Sequence, residues 1–140
     1  MADWVICAIG SALFAGLTAI LAKIGVAAIP ATLATLIRTI VILGFIGLVV
    51  GVRREWVSAG SLNLRSVVFL VLSGLTTGLS WLCYYRALQK GPVSLVAPLD
   101  KLSLVIAIGL SMLIFGERLT AWQWIGVSCM TLGAVLLVLK

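Results

Sequence analysis

Few residues of this 140-residue chain are equipped for chemistry: four acids (Asp3, Glu55, Asp100, Glu117), ten Lys or Arg, and no histidine. Two ionised positions lie inside long apolar runs, namely Arg38 and the adjacent pair Asp100-Lys101, which continues into uncharged residues 102–116. An ionised group costs roughly 2.5–3.5 kcal/mol at the middle of a bilayer-spanning helix, so those found there usually face a water-filled cavity or one another. Arg38 sits about seven residues into its run, on the order of 10 Å along a helix axis. It either clamps neighbouring carbonyls or meets an anionic ligand group. Asp100 and Lys101, as sequence neighbours, point roughly 100° apart on a helix and are not expected to face one partner together. Asp100 either pairs with Arg38 or Lys23 from another helix or takes up and releases a proton. Lys23 and Arg86, near run ends, either snorkel to the interface or join such a site.

Trp81 is one helical turn from Tyr84 and Tyr85, so the three form either packed core or a wall facing a ligand. Pro98 precedes Asp100 by two residues. A proline inside a helix frees a carbonyl and bends the helix. Interrupted helices line binding cavities in transporters, because loose backbone is tolerated there. A proline in an ordinary first turn fits the sequence equally well.

The composition that must position these groups is that of a membrane protein. The chain is 63% hydrophobic and 10% charged, with mean hydropathy +1.28, against about half and a quarter for soluble domains. The missing histidines exclude histidine metal sites and a hydrolytic triad, and no second buried Asp completes an aspartyl dyad. No cofactor, no metal and no enzymatic activity are expected. Net charge is +6, yet the basic residues are scattered singly, which argues against a nucleic-acid partner. Cys7, Cys83 and Cys129 each fall in an apolar run and read as small packing residues. Asp3 and the lack of Lys or Arg before residues 4–22 suggest a retained first span rather than a cleaved signal.

About 20 apolar residues cross a bilayer as a helix. Five segments meet or approach that length, at about 4–28, 31–51, 66–88, 94–115 and 121–139. The expected fold is therefore an all-α integral membrane bundle of five transmembrane helices, a single domain over 1–140 with no soluble domain. Pro30 opens the second segment, Ser61 or Asn63 caps the third, and Gly91-Pro92 and residues 116–120 make tight turns. Trp4, Trp56, Trp122 and Trp124 sit at segment ends as headgroup-level anchors. Small residues at helix-contact spacing (Ala8, Ala12 and Gly16; Gly47 and Gly51; Gly74 and Gly78; Ser103, Ala107 and Ser111) suggest a compact bundle.

Five spans place the two ends of the chain on opposite sides. One face then owns Arg53, Arg54, Arg65 and Arg118, the other Lys23, Arg86, Lys90 and Lys140, with Arg38 and Lys101 inside spans. Orientation normally follows an excess of Lys and Arg on the cytoplasmic side. None is present, so either the chain inserts both ways or a partner fixes its direction.

The runs RALQKGPVSLVAPLDKLSLV and FGERLTAWQWIGVSCMTLGAVLLVL resemble the second half of an EamA domain of the drug/metabolite transporter superfamily. The resemblance rests on the aromatic-rich third helix ending in Arg86-Ala87-Leu88, on Pro98, on Gly116-Glu117 and on a late helix with Gly126 and Gly133. SALFAGLTAILAKIG and LATLIRTIVIL resemble that domain's first two helices. Most such transporters have two five-helix repeats in opposite orientation. The resemblance implies that this chain is one EamA-type repeat, completed by an antiparallel homodimer. In the related small multidrug resistance proteins the last helix pairs through small residues seven apart, which makes Gly126 and Gly133 the implied dimer contacts. Those proteins couple protons through a first-helix glutamate. The first segment here has no acid beyond Asp3, so Asp100 is the deep candidate for that role.

Together these readings predict a membrane transporter that moves a small organic metabolite by alternating access. Trp81 and Tyr85 are the expected apolar wall, and Arg38, Lys101 and Lys23 the anion contacts. Asp100 is the proton or counter-charge site and Pro98 the helix break. Deep cations outnumber deep carboxylates, which favours an anionic or zwitterionic substrate. A carrier of an amphiphile or lipid-linked sugar, and a non-transporting subunit of a membrane complex, are the alternatives. The expected partners are membrane lipid, the small-molecule substrate and a second copy of the chain. The resemblance and small size point to a bacterial inner membrane.

Overall fold

The computed structural model describes residues 3–56 and 62–137. The Ser61 cap, the far end of the fifth segment and Lys140 lie outside the described residues. Those described form helices joined by turns: α1 (Asp3–Gly25), α2 (Ala31–Arg53), α3 (Leu64–Lys90), α4 (Val93–Asp100), α5 (Ser103–Phe115) and α6 (Ala121–Leu136). Three helices, Asp3–Gly25, Ala31–Arg53 and Leu64–Lys90, are long and apolar enough to cross a membrane, as is Val93–Phe115 taken as one span. Ala121–Leu136 is a shorter apolar helix. The chain divides into two compact units, Met1–Gln89 and Lys90–Lys140.

In the first unit, helix ends follow local chemistry. Asp3 sits in the first turn of α1 and Lys23 in the last, the charge placement that the helix dipole favours. α1 stops at Gly25 rather than near residue 28, because Pro30 disfavours helical backbone at Ile29. Pro30 then occupies the N-cap of α2, where its missing N–H costs nothing. α2 closes with Arg54 in the left-handed region (φ 53°), its amide donating to Gly51 at 3.3 Å and that of Glu55 to Val50 at 3.1 Å, the Schellman pattern. Asn63 caps α3, its Oδ1 accepting from the Arg65 amide at 3.0 Å.

The buried residues of this unit are Ala19, Ala22, Val26, Ala31, Ala34, Tyr85 and Leu88. They come from the end of α1, the start of α2 and the end of α3, mostly as small residues three apart. Small side chains there let helix backbones approach, which is how helices associate in lipid. The small residues that the spacing singled out are placed otherwise. Ala8, Ala12, Gly16, Gly51 and Gly74 are exposed, and Gly47 and Gly78 are half-buried. A Cβ built at any of those five glycines meets no heavy atom within 4 Å among the described residues. Helix-contact spacing recurs along the whole of each apolar helix. In this unit the buried alanines are those on either side of the short α1–α2 connection.

In the second unit, the single helix expected at about 94–115 is two. α4 ends at Asp100 and α5 begins at Ser103. The interruption falls a turn after Pro98, not at it. Across it the amides of Lys101 and Leu102 donate to Pro98 and Leu99 at 3.1 and 3.0 Å, and those of Leu104 and Val105 to Lys101 and Leu102 at 3.0 Å. All four are tightened three-residue bonds of the kind that marks a helix under strain or a hinge. Gly116 closes α5 at φ +67°, a left-handed conformation natural to glycine. The Thr120 amide donates to Gln123 Oε1 at 2.8 Å to open α6, half of a capping box.

Candidate functional site

α2 carries Arg38 just past its buried first turns, and α3 carries Trp81, Tyr84 and Tyr85 near its buried last turns. Packing of those ends therefore brings the deep cation to the aromatics. The guanidinium carbon of Arg38 lies 3.2 Å from the centre of the Trp81 ring, a cation–π contact. Tyr84 and Tyr85 meet the same ring edge-on, with centroids at 5.4 and 5.3 Å and planes at 80° and 86°. Tyr85 itself is 3% exposed. The sequence left Arg38 between a carbonyl clamp and an anion contact; stacking on an indole was neither. The one-turn spacing of three aromatics is the signal that could have found it.

Beside this stack is an open cleft of about 320 Å³, lined chiefly by apolar side chains such as Leu21, Ala22, Val26 and Ile37, with Arg38 and Tyr85 at its wall. Trp81 is not among the lining residues; it lies behind the guanidinium. Among the described residues, no carboxylate lies within ion-pair distance of Arg38. Glu55, the nearest acid in sequence to that helix, pairs instead with Arg53 at 3.6 Å.

Lys23 is half-buried, and its ammonium donates to the Leu88 carbonyl at the end of α3. A residue the sequence reading missed lies next to it: Gln89 Nε2 donates to the carbonyls of Val26 at 3.1 Å and Ile29 at 2.8 Å. The sequence places Gln89 in a tight turn; its task is to tie the turn after α1 to the end of α3. Arg86 is exposed.

The second unit holds the other candidates. Asp100 Oδ2 and Lys101 Nζ are 3.9 Å apart, with side chains 40% and 55% exposed. Lys101 is the C-cap of α4 and keeps right-handed backbone (φ −69°, ψ −10°). Pro98 is half-buried in α4. Lys101 also borders a small cavity of about 110 Å³ among Leu104, Val105, Ile108 and Met130, room for a few waters. Gly126 borders an open cleft of about 610 Å³ with Glu117, Arg118 and Gln123 at its polar end. Gly133 is exposed on α6.

Membrane-length apolar helices define a multi-pass integral membrane protein. The chain belongs to the EamA-like transporter family, whose family model matches residues 2–139. It is 47% identical over 135 residues, covering 96% of each chain, to a Sinorhizobium sp protein called an uncharacterized transporter in the cobO 3' region. A Methanocaldococcus jannaschii protein of uncharacterized function is 33% identical over 73 residues, covering 52% of this chain and 53% of its own. A Yersinia pestis protein called "Probable 4-amino-4-deoxy-L-arabinose-phosphoundecaprenol flippase subunit ArnE" is 30% identical over 83 residues, covering 59% of this chain and 72% of its own. No solved structure matches the chain.

Proposed function

We propose that this EamA-family transporter moves a small organic anion or zwitterion by alternating access, as an antiparallel homodimer in a bacterial inner membrane. The observation that carries the reading is Arg38: a deep guanidinium at the wall of an apolar cleft, with no carboxylate in ion-pair range among the described residues. A charge so placed is expensive unless something neutralises it, and a bound anion does so. Lys101 supplies a second cation and Asp100 a counter-charge or proton site. The single EamA-type domain over 1–140 is completed by a second, inverted copy through Gly126 and Gly133. The even division of basic residues between faces, four and four, suits a chain that inserts in both orientations.

Purified chain in liposomes tests this directly. Uptake of an organic anion by the chain alone supports the reading, whereas activity that requires a different membrane protein would move it to a subunit role. The second reading, a carrier of a lipid-linked sugar or other amphiphile, is favoured by the similarity to the arabinose-phosphoundecaprenol flippase subunit and by the openness of the cleft. Competition by a polyprenyl phosphate distinguishes it.

A further inference from the structure

Trp81 is held on three sides without lining the cleft. Tyr84 and Tyr85 fix its edges at 5.4 and 5.3 Å, and the Arg38 guanidinium covers its face at 3.2 Å. An arginine stacked through its face keeps all five N–H donors in the guanidinium plane, around the rim and away from the ring. A carboxylate partner would hold Arg38 just as firmly, but it would take up the fork of donors and cancel the charge. An indole face does neither. From α3, Tyr85, nearly all buried, shares the cleft wall with this guanidinium. The remaining wall is apolar, from Leu21, Ala22, Val26 and Ile37.

The geometry points to Trp81 as the positioning residue that makes Arg38 a forked receptor for an oxyanion. The group recognised is then a carboxylate or a phosphate monoester, carried on an apolar body. Bidentate pairing of a guanidinium with such oxygens is directional as well as strong, and a volume of about 320 Å³ suits a small organic body rather than a bulky one. This rests on reading the cleft as the ligand site. It adds what selects the ligand: the planar fork, held by a ring the ligand never touches.

The experiment is a binding titration on the purified, detergent-solubilised full chain with benzoate, its neutral isostere benzamide, phenyl phosphate and farnesyl phosphate. Wild-type protein should prefer benzoate to benzamide by about tenfold or more, as a charge-assisted contact implies. Trp81→Leu should abolish most of that preference with benzamide binding little changed, and Trp81→Phe should keep part of it. Arg38→Lys, which keeps the charge but loses the fork, should resemble Trp81→Leu. If Trp81→Leu does not fold, the Phe and Lys variants decide. Full preference retained in the Trp81 variants, with loss in Arg38→Ala, overturns the positioning role and leaves the cleft reading intact. No preference in the wild type, or its retention in Arg38→Ala, overturns both. Displacement of benzoate by either phosphate supports oxyanion recognition, farnesyl phosphate being stronger for a lipid-borne source and phenyl phosphate for a soluble one. Displacement by neither restricts the receptor to carboxylates and overturns the phosphate half.

Discussion

Gln89 Nε2 donates to the Ile29 carbonyl at 2.8 Å, bridging residues 60 apart in sequence. The same nitrogen reaches the Val26 carbonyl, so one carboxamide holds both ends of the turn between α1 and α2. Its neighbour Leu88, fully buried, accepts from Lys23. Loss of a partner from a part-buried carbonyl costs about 1–3 kcal/mol. Gln89→Leu is therefore expected to destabilise the fold by about that amount, read as a lowered unfolding midpoint in detergent. Gln89→Glu, which presents oxygens to two carbonyls, should be no better. A midpoint unchanged in both variants would remove the tie.

Arg38→Ala is expected to weaken organic-anion binding by about tenfold or more and to stop uptake in liposomes, since a hydrogen bond to a charged group contributes about 1.5–3 kcal/mol. Arg65 provides the control. Its guanidinium lies 5.9 Å from the Phe69 ring at the exposed start of α3, and Arg65→Ala should leave binding as it is. Equal losses in the two variants would point to general charge rather than to the cleft.

Asp100 is the residue proposed for proton coupling. If it carries the proton, Asp100→Asn makes uptake independent of an imposed pH gradient while anion binding persists. An unaltered response to the gradient assigns Asp100 to pairing with Lys101, 3.9 Å away.

Two left-handed residues give opposite expectations. Gly116 has φ +67° and open space where a Cβ would be, so Gly116→Ala meets only the backbone penalty, about 1–2 kcal/mol. Arg54 has φ 53° without being glycine. Arg54→Gly removes that penalty but adds unfolded-state entropy, for a net gain below about 1 kcal/mol. Unfolding midpoints of both variants check the signs.

Topology reporters fused after Lys140 test the antiparallel pairing. Two populations, with tails on opposite sides in comparable amounts, are expected. A single orientation with no inverted companion would falsify the homodimer.

Legibility in the sequence was uneven, for physical reasons. Proline and glycine act within a few residues, so Pro30, Asn63, Gly116 and the short turns marked helix limits to within a few positions. The break falls after Asp100 rather than at Pro98, where the amides of Lys101 and Leu102 take three-residue bonds to Pro98 and Leu99; a proline disturbs the turn before it, so its position alone did not locate this break. Arg38, Trp81 and Tyr85 were readable as candidates. Their stacking was not, because it requires two helices to meet at one height and one rotation.

The sequence by itself determined that this is a helical membrane protein of the EamA type, since lipid forces each span to satisfy its own backbone within one continuous apolar segment. Only the tertiary structure decided which small residues make contact, that Gln89 ties the turn after α1, and that Arg38 rests on Trp81. Apolar faces on these helices are nearly alike all round, so hydropathy cannot choose among them; the choice falls to the few polar side chains and close approaches that packing alone brings into range.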